Sequence, residues 1–166
     1  MTEIMNENRG DNLTDNLKDM LSRAEVAPDD GRVLEAKSFA AEEDAKKLSI
    51  DDLDSLIPAA AAYGYAKKAH DIVGIDLRGI SPVADYFLIF SGSNKPQFKA
   101  ISDNIEEKLS EQGIRPLRVE GYREAEWILL DYGALVVHIF DDEQRAYYNL
   151  EHLWGDAPAY RFVPAE

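Results

Sequence analysis

Carboxylates dominate the reactive side chains of this 166-residue chain, which has 32 Asp and Glu in all. Several fall where strands should end: Asp76, Asp85, Asp131, Asp141 and Asp142. Carboxylates gathered at strand ends can hold a divalent metal or act as a general base. Asp also favours such places because its side chain bonds nearby backbone N–H groups, and in so acidic a chain chance placement is common. Gly92-Ser93 follows an apolar run and precedes a helical pattern, so its backbone N–H groups could face a phosphate. Nucleotidyl transfer would also need two metal-holding carboxylates one residue apart on a neighbouring strand. Glu124 and Glu126 have that spacing but precede their strand. An enzyme using Gly92-Ser93 and Asp131 is therefore the secondary reading, and an ordinary strand-to-helix turn the leading one. His70, His138 and His152 are scattered singly, and His138 among apolar neighbours reads as hydrogen-bonded core. There is no nucleophile elbow, Walker loop or dinucleotide fingerprint. With no cysteine there is no thiolate nucleophile or disulfide. No cofactor and no metal are expected.

A different kind of chemistry is offered by "EWILLDYGALVVHIF", Glu126–Phe140. It reads as two strands around a turn at Asp131-Tyr132-Gly133. A half-exposed hairpin alternates apolar and polar residues, since successive side chains point to opposite faces. This one barely alternates, so both of its faces need covering. Trp127 and Leu129 share one face, Ile128 and Leu130 the other. Either all of these are core, or one face is a binding patch. Trp and Tyr anchors beside an apolar floor and one Asp are what a protein-binding hot spot contains.

The elements that position the hairpin can be read on either side of it. "DIVGIDLRG" and "ADYFLIFSG" are short apolar strands, and "IRPLRVEGY" is a strand that Pro116 pushes to an edge. "NKPQFKAISDNIEEKLSEQG" carries Phe98, Ile101, Ile105 and Leu109 on one helical stripe, with Gly113 after its last turn. A helix through Leu53, Leu56 and Ile57 precedes them, with Pro58 opening a second one. "DEQRAYYNLEHLWGD" closes with a helix. The order α-β-β-α-β-β-β-α predicts an α/β fold: a mixed five-stranded sheet flanked by helices, buried on both faces. Residues 1–50 read as an acidic N-terminal extension, flexible or weakly helical, in which Leu13, Leu17, Met20 and Leu21 could form one amphipathic helix ended by "APDDGR". That segment is either a solvated extension or a docking or self-covering arm. Residues 51–160 form the α/β domain and 161–166 a C-terminal tail.

Net charge of −14 and a pI near 4.6 oppose broad nucleic-acid binding and favour a basic protein partner. The opening "MTEIMNENRG" has no basic n-region or apolar h-region, and no apolar run nears the roughly 18 residues of a membrane span. A soluble cytoplasmic protein with no membrane partner is expected.

Four stretches, "DIVGIDLRGISPVADYFLIFSG", "EGYREAEWILLDYG", "VVHIF" and "AYYNLEHLWGDAP", resemble the Iojap family, the ribosomal silencing factors, in consistent order from about Ser55 to Pro158. The resemblance implies a small mixed α/β fold with a nucleotidyltransferase-like outline but no catalytic carboxylates and no enzymatic activity. It implies binding to a basic protein of the large ribosomal subunit's intersubunit face, the fourteenth of the L series. It further implies steric blocking of subunit joining, and so repression of translation under nutrient limitation. The Trp-led hairpin carries the contact, which assigns Trp127, Ile128, Leu129, Leu130, Asp131, Tyr132 and Gly133 to the partner-binding surface. Trp127 would be the anchor and Asp131 would meet a partner Arg or Lys. A homodimer of the free protein is the remaining alternative. Two positions depart from the family pattern: Ala134 where an acid usually follows the turn, and Asn94 where a second Ser or Thr usually precedes the central helix. His138 matches a family position without an assigned role.

Overall fold

The computed structural model describes residues 12–24, 33–39 and 47–165. The elements are α1 (Leu13–Arg23), β1 (Glu35–Phe39), α2 (Leu53–Tyr65), β2 (His70–Asp76), β3 (Tyr86–Gly92), α3 (Lys95–Glu111), β4 (Arg118–Glu120), β5 (Trp127–Asp131), β6 (Leu135–Asp141), α4 (Asp142–Tyr148), a 3-10 turn (Leu150–His152) and β7 (Ala159–Pro164). The strands form one mixed sheet in the order β1-β7-β2-β3-β6-β5-β4. The α/β architecture with a helix-flanked mixed sheet is as expected, but the sheet has seven strands rather than five. β1 lies within the acidic extension and pairs in parallel with β7. β7 itself fills a place where a C-terminal tail from 161 was expected, bonded to β2 on its other side. Both were missed for one reason. β1 is exposed apart from Phe39 and β7 buries only Phe162, so neither shows the apolar run by which the inner strands announce themselves.

The inner strands β3, β5 and β6 are buried almost throughout, because helices cover one face and a helix with a C-terminal segment covers the other. On the first face α2 and α3 pack Leu56, Ile57, Ile101 and Ile105 against Leu88, Phe90, Ile128, Leu130, Val137 and Ile139. Pro58 sits inside a single α2 instead of opening a second helix. The carbonyl it leaves unpaired belongs to Asp54, which is exposed to water. On the second face Phe87, Ile89, Trp127, Leu129, Val136 and Phe140 meet Leu17 of α1 and Leu150 near the C-terminus. Asn12 caps α1, its side chain accepting from Asp15 N–H. The break expected at 27–32 lies outside the described residues.

The remaining local expectations concern element ends. β4 is the free edge beyond β5, as Pro116 required. Gly113 (φ +80°) follows α3 in the left-handed conformation a helix C-terminus calls for. The closing helix is shorter than its pattern: Asn149 (φ 53°) ends α4, and the chain continues as the 3-10 turn. Arg145, almost buried, forks onto Glu151 at 3.1 and 3.0 Å and donates to the Asp71 carbonyl at 2.6 Å and Ser91 Oγ at 2.7 Å. This network fixes α4, and with it Tyr148, against the strand ends.

Candidate functional site at the tryptophan hairpin

β5 and β6 pair antiparallel, with Trp127 opposite Phe140, Leu129 opposite His138 and Asp131 opposite Val136. The turn closes through Tyr132 N–H to Leu135 O at 2.8 Å and Gly133 N–H to the Asp131 carboxylate at 2.8 Å. Gly133 has φ +87°, which glycine alone adopts without strain. The side chains divide between faces as alternation required. Trp127 and Leu129 belong to the α1 face, Ile128, Leu130 and Tyr132 to the α2–α3 face.

Trp127 is the centre of an aromatic cluster. Its ring lies 4.8 Å from Phe140 and 4.9 Å from Tyr148, and its Nε1–H donates to His138 Nδ1 at 3.0 Å. That bond puts the remaining imidazole proton on Nε2. His138 is wholly buried, and burial alone holds its pKa down near 3. It is a neutral core group, as its apolar neighbours suggested, and its Nε2 has no hydrogen-bond partner among the described residues.

The expectation that one hairpin face stands open is not met. Trp127 is 4% exposed, Ile128, Leu129 and Leu130 are at 0%, Asp131 at 8% and Tyr132 at 5%. On Trp127's side the last layer of the enclosure is α1. Leu17 is fully buried in the same cluster, and Lys18 Nζ stands 5.9 Å from the Trp127 ring and 5.5 Å from the Tyr148 ring. The edge supplies a latch. Glu120 accepts from Leu13 N–H at 3.0 Å, Thr14 N–H at 2.7 Å and Thr14 Oγ1 at 2.5 Å, so a carboxylate meets the electropositive end of α1. Asp131 is likewise engaged within the chain, 3.3 Å from Arg118 Nε. Tyr132, at the tip, buries its hydroxyl with no partner among the described residues, and desolvation raises its pKa.

The enzyme-like constellation is not assembled. Gly92 aligns with Asp141 and Asp131 with Val136, which separates Gly92 from Asp131 by roughly 16 Å along the sheet. The Gly92-Ser93 turn spends its donors locally. Ser93 N–H donates to Gln97 Oε1 at 2.5 Å, and Asn94 Oδ1 accepts from Gln97 N–H at 2.8 Å, so Asn94 is a helix cap. The other strand-end carboxylates do similar work. Asp76 pairs with Arg78 at 2.6 Å, Asp141 caps α4 at 2.7 Å, and Asp142 meets His70 at 3.1 Å. Sequence reasoning overlooked the exposed apolar groups of the edge beside the hairpin tip, Leu117 at 72% and Val119 at 38%. The signal was the edge placement itself, since an edge strand has no second neighbour to cover it.

The family described as "Ribosomal silencing factor during starvation" matches residues 50–165. This chain belongs to that family. A Bacillus subtilis relative named ribosomal silencing factor RsfS is 49% identical over 104 residues, 63% of this chain and 88% of its own length. The maize chloroplast protein Iojap is 32% identical over 154 residues, 92% of this chain and 64% of its own. A crystal structure from Bacillus halodurans superposes with a TM-score of 0.57 at 42% identity, covering 64% of this chain and 96% of that one. A crystal structure from Chromobacterium violaceum gives 0.59 at 30% identity. In this ribosomal silencing factor family member the match includes every strand but β1, and excludes α1. Among the described residues no helix is long and apolar enough to cross a membrane.

Proposed function

We propose that this chain silences ribosomes by binding, without chemistry, to a basic protein of the large subunit's intersubunit face, the fourteenth of the L series, and so blocks subunit joining under nutrient limitation. The family match over 50–165 carries this reading. The hairpin supports it physically. Trp127, Phe140 and Tyr148 make an aromatic anchor of the kind that dominates protein interfaces. Leu129 shares the anchor's face, Ile128 and Leu130 back it from the α2–α3 side of the sheet, and Asp131, Tyr132 and Gly133 make the turn beyond it. A chain of net charge −14 is steered toward cationic protein and away from RNA phosphate. The helix-flanked sheet serves in this reading only as a scaffold, since the Gly92-Ser93 turn and Asp131 lie far apart.

The test is sucrose-gradient co-sedimentation of the full chain with separated ribosomal subunits, followed by a subunit-joining assay. Co-sedimentation with large subunits only, and slower joining in proportion to bound protein, is the expected result. Joining at an unchanged rate by large subunits that carry the protein would reject the steric mechanism.

A further inference from the structure

We propose that α1 is a built-in competitor: it occupies, within the free chain, the aromatic surface that the ribosomal protein takes in the complex, and it must leave for binding. The inference rests on the reading above and names the regulation of that same surface. Three observations carry it. First, α1 lies outside the family match that begins at residue 50, so the covering element is an addition to the domain whose surface it covers. Second, its chemistry is that of the expected partner. A buried apolar knob, Leu17, enters the cluster, and a cation, Lys18, stands over the Trp127 and Tyr148 rings. An amphipathic segment presenting Leu and Lys is what a basic protein would offer to the same place. Its N–H groups fill Glu120, a carboxylate that a partner cation could fill instead. Third, α1 is seated only in part. Beyond Lys18 a cavity of about 380 Å³, lined by Leu21, Ser22, Tyr147 and Leu153, separates it from α4. Leu17 is the one side chain of α1 that is fully buried, with Leu13, Met20 and Leu21 only partly buried around it, so Leu17 and the Glu120 latch are where its hold is most open to mutation.

The geometry sets a measurable tax on affinity, because a partner binds only the uncovered fraction of molecules. Leu17→Asn removes the knob without changing net charge, so steering by the −14 field is unaltered. We expect the full-length Leu17→Asn chain to bind isolated large subunits about tenfold or more tightly than the parent. In the parent chain, amide hydrogen exchange of residues 13–23 should quicken when large subunits are added, as the N–H groups of Leu13 and Thr14 lose Glu120. Equal affinity of the two chains overturns the competitor while leaving the ribosomal reading intact. So does α1 that keeps its protection in the complex, which would make it part of the interface. Failure of both chains to co-sediment overturns the competitor together with the reading it rests on.

Discussion

Mild acid should destabilise this protein through His138. Its imidazole is wholly buried, accepts from Trp127 Nε1 at Nδ1, and titrates near 3 because burial penalises the charged form. In the unfolded chain the same group titrates near 6.5. Between these values the unfolded state binds a proton that the folded state refuses, so stability falls as pH is lowered. The loss begins near pH 6.5 and proceeds at up to about 1.4 kcal/mol per pH unit until the folded group itself protonates near pH 3. From pH 7 to pH 5 the term comes to about 2 kcal/mol. His138→Gln isolates it. Glutamine Oε1 can still accept the Trp127 N–H, and it does not titrate. His70, His152 and the carboxylates are common to both chains and cancel in the difference. Urea unfolding at pH 7 and pH 5 measures it directly. The parent should lose about 2 kcal/mol more than His138→Gln over that interval. Equal losses would refute the buried, neutral imidazole.

Three further substitutions test the hairpin. Trp127→Ala opens a cavity that costs about 3–5 kcal/mol and strands His138 Nδ1, adding about 1–3 kcal/mol. Urea denaturation should show a severely weakened fold, and binding assays must use Trp127→Phe instead. Tyr132→Phe removes a buried hydroxyl that has no partner among the described residues. It should raise the urea midpoint by an amount equivalent to about 1 kcal/mol, and a drop would show that the hydroxyl is satisfied. Gly121→Ala would place a Cβ 2.1 Å from the Trp127 carbonyl oxygen at a φ of +74°. Thermal unfolding should register a loss of about 1–3 kcal/mol, and an unchanged midpoint would contradict the close approach.

Much of the domain was legible because its signals are local. The run Tyr86–Gly92 has no polar face, so it had to be covered twice. The stripe of Phe98, Ile101, Ile105 and Leu109 had to be a helix, and Pro116 had to sit by an edge. Where the reading stopped, the missing information was a distant partner. β1 and β7 are strands because they hydrogen-bond to each other and β7 to β2, not because their side chains alternate. Pro58 was read as a helix start, although one exposed carbonyl is all that a continuous helix forfeits there.

The hairpin divides the two kinds of knowledge most clearly. From the order of residues alone, Trp127 and Leu129 share one face, Ile128 and Leu130 the other, and both faces need cover, since a side chain's direction along a strand is fixed by backbone geometry. The order of residues also identified the family. What occupies Trp127's face was settled only in three dimensions. An 11-residue helix more than 100 positions away supplies Leu17 and Lys18 and is latched by Glu120. Nothing in the pattern of α1 says which apolar surface it will cover. That choice is made by shape and by the placement of one carboxylate on a free edge, both properties of the assembled sheet.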